Sequence, residues 1–194
     1  MNPGNGPIET SIRKSIQAKE ALLALAGEIE AFCRLGASVL EGGGKILLCG
    51  NGGSACDAAH ASCELVGWFR DKERGPLPAL ALGFETPALT AVANDEGYDE
   101  VFARQVQALG RPGDLLVGIS TSGRSPSVVR ALERASSLGI RTAALTGKDG
   151  GPAAEAAEFA LRVPARETPR IQECHLLVLH IFSEWVEAHW KGSK

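Results

Sequence analysis

The chain has 194 residues, 44% of them hydrophobic and 22% charged, with 20 Lys and Arg against 23 Asp and Glu for a net charge of −3. That length suits one well-buried α/β domain and is short for two, and the slight acidity excludes the basic footprint of a nucleic-acid binder, so a phosphorylated ligand would need local donors. No apolar run approaches the ~20 residues of a membrane span, the N-terminus lacks the charged and apolar regions of a signal peptide, and Cys33, Cys49, Cys56, Cys63 and Cys174 form no CxxC pair; reduced, mostly buried thiols in a cytoplasmic protein are expected.

The first residues, rich in Gly and Pro, predict a mobile tail over residues 1–9. From Thr10, Ile12, Ile16, Leu23, Ile29, Phe32 and Val39 recur at roughly helical spacing. They predict a helix over residues 10–40, weakened or bent at Gly27. A helix well beyond the usual ~10–14 residues favours packing against a second copy.

The stretch from Lys45 to Leu65 organises the rest. Ile46–Cys49 is a short apolar strand, broken at Gly50-Asn51-Gly52-Gly53, where glycine permits positive φ and close backbone approach. Ser54 is expected as an N-cap with Asp57 completing an acidic capping box, and a helix follows to about Phe69. His60 and Glu64, four apart, share one helix face, with Cys56 one turn earlier. A strand, glycine turn and helix start would present backbone N–H groups and two ionisable side chains at one rim; the same stretch also reads as a turn before a helix whose His and Glu merely pair.

After a charged loop, Asp71–Pro78, a second strand is predicted at Ala79–Leu82 and a helix opening at Thr86-Pro87, Thr as N-cap. Asn94-Asp95-Glu96-Gly97 is a polar turn, and Asp99–Leu109 a helix. Leu115–Ile119 is the third strand. Ser120, Thr121, Ser122 and Ser125 then crowd the loop before a helix starting at Pro126. Hydroxyls at a helix N-terminus suit a phosphate. Neither glycine loop spells the dinucleotide fingerprint GxGxxG. Ile140–Leu145 and Phe159–Val163 complete five strands, and a helix from about Arg170 to Trp190 closes the chain. Apolar strands alternating with helices give a parallel sheet covered on both faces.

The last helix carries Gln172, His175 and His180. Gln172 and His180 lie about two turns apart and can face one way. Together with His60 and Glu64 they would offer two imidazoles, a carboxylate and an amide oxygen, a set suited to Zn²⁺. Spacing alone leaves open whether the two helices meet, and a buried structural His is the competing reading.

The segments GNGGSACDAAHASCEL, AVANDEGYDEVFARQV, GISTSGRSPSVVRAL, ALTGKDGG and RIQECHLLVLH resemble the phosphoheptose isomerases of the sugar-isomerase (SIS) domain family, over nearly the whole chain. The resemblance implies a three-layer αβα sandwich around a five-stranded parallel sheet, the chain forming a single SIS domain. It implies a homotetramer assembled through the N-terminal helices, with no nucleic acid and no membrane partner. The implied reaction converts the ketose sedoheptulose 7-phosphate to D-glycero-D-manno-heptose 7-phosphate, the start of nucleotide-activated heptose and lipopolysaccharide synthesis. By motif match, Asn51, Gly52, Gly53, Asn94 and Asp95 would contact sugar oxygens. Ser120, Thr121, Ser122 and Ser125 would hold the phosphate. His60, Glu64, Gln172 and His180 match the family's zinc ligands; Glu64 and Gln172 would also touch substrate, and Glu64 and His180 match its acid–base pair. No nucleotide or redox cofactor is implied. Arg124 stands where many relatives carry Asn. A relative that binds the bacterial replication initiator lacks the Glu and the final His, so their presence here favours the enzyme over that binding role. Isomerisation of another sugar phosphate is the other alternative.

Overall fold

The computed structural model describes residues 6–190. Five strands, β1 (Ile46–Gly50), β2 (Ala79–Ala81), β3 (Leu115–Ser120), β4 (Arg141–Gly147) and β5 (Phe159–Val163), form one sheet in the order β2-β1-β3-β4-β5. Every pairing is parallel, with Leu48 opposite Ala81 and Val117, and Val117 opposite Ala143. The expected three-layer αβα sandwich is the fold observed.

Side-chain alternation explains the layers. Ile46, Leu48, Leu115, Val117, Ile119, Leu145 and Val163 point to one face. There they meet α2 (Ala26–Glu41), α3 (Gly53–Val66) and α8 (Thr168–His189). Leu47, Cys49, Leu116 and Ala144 point to the other, covered by α5 (Val101–Leu109), α6 (Pro126–Ser137) and the short α7 (Gly151–Ala156). Both faces are therefore covered, which is why β1 is apolar throughout and β3 is apolar as far as Ile119. The Phe32 ring anchors α2 against α8, 5.1 Å from Phe182 and 6.0 Å from Phe159 between centroids. Gly36 lies under Phe182, where a Cβ would collide with the ring.

The N-terminal rod starts earlier and breaks elsewhere than predicted. Helix α1 spans Pro7–Ala21, so residues 7–9 of the expected tail are helical, while residues 1–5 of it lie outside the described residues. A 3₁₀ turn, Leu22–Leu25, joins α1 to α2. The break falls there and not at Gly27 because tightening to three residues per turn stacks Leu22 and Leu25 on one side, where both pack onto the core. Ile8, Ile12, Ile16 and Leu23 remain exposed on the rod. Among the described residues no helix is long and apolar enough to cross a membrane.

Candidate active site

The strand order places a crevice. The chain leaves β1 toward β2 on one side and returns to β3 on the other, so the loops following β1 and β3 diverge at their carboxyl ends, the usual ligand position in an open parallel sheet. The Gly50–Gly53 and Ser120–Ser125 loops are these two loops.

In the first, Gly52 is the residue that caps α3, at φ 56° and ψ −123°, a conformation closed to residues with a Cβ. Gly53 opens the helix beneath the Gln172 carboxamide, which a Cβ would strike. Ser54, predicted as the cap, is instead a buried residue of the first turn; the glycine conformation moves the helix start forward. Asp57, predicted for the capping box, serves differently. Its buried carboxyl meets the Gln172 side chain and faces His60, and its Oδ2 has no hydrogen-bond partner among the described residues. Burial raises its pKa against the opposing pull of Gln172 and His60.

Asn51 ties the first loop to the first turn of α6 and to Tyr98. Its Nδ2 donates to Ser127 Oγ at 2.9 Å, and its Oδ1 accepts from the Tyr98 hydroxyl at 2.8 Å. Neither Tyr98 nor Ser127 is marked by the sequence reading; the available signal was that Tyr98, the chain's one tyrosine, sits in the polar turn after Asn94-Asp95. Asn94 and Asp95 end α4 (Thr86–Asp95), exposed and bonded to each other at 2.7 Å. Among the described residues no hydrogen bond carries them to the other candidates.

The Ser120–Ser125 loop opens onto a helix starting at Pro126, as expected. Ser125 occupies the N-cap position of α6 with Pro126 in the first turn, but its side chain makes no capping bond. Its Oγ accepts instead from Ser120 Oγ at 3.2 Å, while Ser122 Oγ accepts the Arg124 amide at 3.1 Å. Pro126 has no N–H and the Val128 and Val129 amides both donate to the Ser125 carbonyl at 3.1 Å, so at the helix start it is the Ser127 amide that is left to meet a ligand. Arg124 turns to Asp149, 2.6 Å away, both side chains largely exposed.

Helices α3 and α8 do meet, side by side. His60 Nε2 lies 2.8 Å from His180 Nε2 and 3.4 Å from Glu64 Oε1, and the imidazoles cross edge-on at 71°. His60 therefore stands between the acid and the second imidazole. Glu64 is 18% exposed and His60 42%, so the cluster opens to solvent on one side. Gln172 lies farther along the seam, over Gly53 and against Asp57. Cys56, named as one turn from His60, is exposed, as is Cys63; the other three thiols are buried, and burial pushes those of Cys33 and Cys49 up to about 12.

The donor types fit zinc, with two imidazoles and a carboxylate already converging and an amide within the same seam. Their spacing is that of hydrogen-bonded partners. At 2.8 Å the two Nε2 atoms are closer than the roughly 3.3 Å separating two nitrogens on one tetrahedral Zn²⁺, and among the described residues no three His, Cys, Asp or Glu side chains form a ready cage. His175 is not part of the cluster. It is buried against the sheet with its Nε2 3.0 Å from the Thr146 carbonyl, and burial drives its pKa down to about 4 despite that bond.

Comparison with known proteins assigns the chain to a family. Residues 11–147 match the SIS domain family. The chain is 51% identical to a phosphoheptose isomerase of Akkermansia muciniphila, over 89% of this chain and 91% of that one. The structure of phosphoheptose isomerase GmhA from Neisseria gonorrhoeae superposes with a TM-score of 0.87 at 43% identity, covering 93% of this chain and 97% of that one. One from Francisella tularensis does so at 0.90 and 39%, covering 93% and 96%. With a five-stranded sheet in this order and near-full-length identity of this degree, the chain belongs to the phosphoheptose isomerases, aldose–ketose isomerases of the SIS-domain family.

Proposed function

We propose that the chain converts sedoheptulose 7-phosphate to D-glycero-D-manno-heptose 7-phosphate with Glu64 and His180 as its proton-transfer pair. The observation that carries this reading is the approach of α3 to α8, which sets His60 2.8 Å from His180 and 3.4 Å from Glu64, so that one imidazole links the acid to the second imidazole. Glu64 removes a proton from C1 of the ketose, giving an enediol, and returns a proton at C2. His180 moves the second proton between O1 and O2. A carboxylate for carbon and an imidazole for oxygen suit the two transfers. Ser120, Thr121, Ser122 and Ser125 hold the phosphate with the N-terminus of α6, and the Gly52 and Gly53 backbone, with Asn94 and Asp95, takes the sugar hydroxyls. Asn51 has both ends of its carboxamide engaged by Ser127 and Tyr98; it fixes the loop and reaches the sugar through its backbone.

Zn²⁺, one per chain, is the proposed cofactor, held by His60, Glu64, His180 and Gln172. It would polarise the carbonyl and stabilise negative charge on the substrate oxygens. The exposed Ile8, Ile12, Ile16 and Leu23 support assembly through α1 into a homotetramer. A cytoplasmic place at the start of heptose supply for lipopolysaccharide completes the proposal.

The test is to supply sedoheptulose 7-phosphate and follow the aldoheptose signal by NMR, with metal analysis and a chelator arm. The expected outcome is turnover, about one divalent ion per chain, and loss of rate on chelation. No aldoheptose from folded protein would overturn the reading; full activity without metal would remove zinc alone.

A further inference from the structure

Helix α3 ends at Gly67, where the last carbonyls of a helix need donors. Arg74, from the following loop, supplies them. Its Nη1 donates to the Leu65 and Gly75 carbonyls at 2.8 and 2.7 Å, and its Nη2 to those of Glu64 and Gly67 at 2.8 and 3.1 Å. Its Nε reaches Glu187 of α8 at 3.3 Å, so all five guanidinium N–H groups are used. Glu187 is equally occupied: it accepts the backbone N–H groups of Phe69, Arg70 and Asp71 at 2.9, 2.7 and 2.8 Å. The two side chains are only 4% and 8% exposed.

This arrangement costs the desolvation of two charges, more than closing a surface loop requires. What it secures is the placement of α3 on α8. Arg74 grips the carbonyl of Glu64 itself, and Glu187 lies seven residues, about two turns on the same face, beyond His180. Phe69, whose amide Glu187 holds, lays its ring 5.9 Å from the His180 ring. Each member of the proton-transfer pair is thus reached by one arm of the clamp.

We propose that Arg74 and Glu187 are positioning residues for the reaction, fixing the distance between Glu64 and His180 through the Glu64 carbonyl and the Phe69 ring. This rests on the reading of Glu64 and His180 as the acid–base pair. Neither clamp residue touches substrate; misplacing a reacting group by about 1 Å costs about 100-fold in rate, so the clamp acts on kcat.

The test compares Arg74→Lys and Glu187→Gln with the native enzyme and with Glu64→Gln, rates being normalised to the folded fraction from circular dichroism. Lysine keeps the charge but cannot make five directed bonds. The expected result is a fall in kcat of about 10- to 100-fold in each clamp variant, with KM within about twofold of native. A merely structural clamp would lower the folded fraction and leave the normalised kcat unchanged, and that result overturns the proposal. Should either variant fail to fold, Phe69→Leu reads the same arm: a normalised kcat equal to native would likewise overturn it. Loss of activity in Glu64→Gln with native kcat in the clamp variants refutes the clamp alone, whereas a fully active Glu64→Gln removes the acid–base pair and the clamp's purpose with it.

Discussion

The Ser120–Ser125 loop and the α3–α8 seam differ in what holds them. The loop draws its donors from six consecutive residues at a strand end and a helix start, and the backbone alone brings them together. The seam joins residues 120 positions apart, His60 and His180, and their spacing depends on the packing of two whole helices and the Arg74–Glu187 clamp. Under the proposed function the loop supplies remote binding energy and tolerates the first kind of construction, because several interchangeable donors would share a phosphate dianion. Proton transfer needs the second, because its rate falls steeply with small errors in distance.

Substitutions can break this division. The largest expected effect is at the seam: His180→Gln should lower kcat by about 100- to 10,000-fold with KM little changed, read from initial rates at saturating ketose. A loop change should have the opposite signature. Ser120→Ala combined with Ser122→Ala should raise KM by about tenfold or more while kcat falls less, because phosphate contacts serve as binding energy remote from the reacting carbons; equal losses in both parameters would merge the two regions into one. Tyr98→Phe sharpens the comparison further, since it removes one hydrogen bond to Asn51 and nothing else. A loss of about 1 kcal/mol, or about fivefold in kcat/KM, is expected.

The smallest effect on rate is expected from the scaffold common to both regions. His175, neutral in the fold with its pKa at about 4 against an ordinary 6.5, binds its proton more readily when unfolded. Stability is therefore fully present above about pH 6.5 and is lost as pH falls toward 4, by about 3 kcal/mol across that window. Thermal denaturation of native protein and His175→Asn, followed from pH 7 to pH 4.5, checks this: the native Tm should fall more steeply than the variant's, with kcat at pH 7.5 close to native in both.

Legibility in the sequence follows the same division. The parallel sheet was readable because both faces of β1 and β3 are buried and their apolar runs are continuous. The hydroxyl loop was readable because its donors are consecutive. The start of α3 was misplaced by two residues because Gly52, in a conformation only glycine adopts, overrides the capping preference of Ser54. Asp57 was read as a local cap although its partner is Gln172, and Tyr98 was passed over because its partner is Asn51; both contacts are tertiary, and no spacing rule expresses them. The pairing of His60 with His180 was reached by resemblance, and the clamp beyond it, made of one loop arginine and one helical glutamate, carries no motif at all.

The division of labour is tested most directly by titrating Glu64→Gln with sedoheptulose 7-phosphate in a calorimeter while assaying the same sample for aldoheptose. The expected result is saturable binding within a few-fold of the native enzyme's affinity and turnover reduced by at least about 100-fold. Binding lost together with turnover, or turnover at the native rate, would contradict the account.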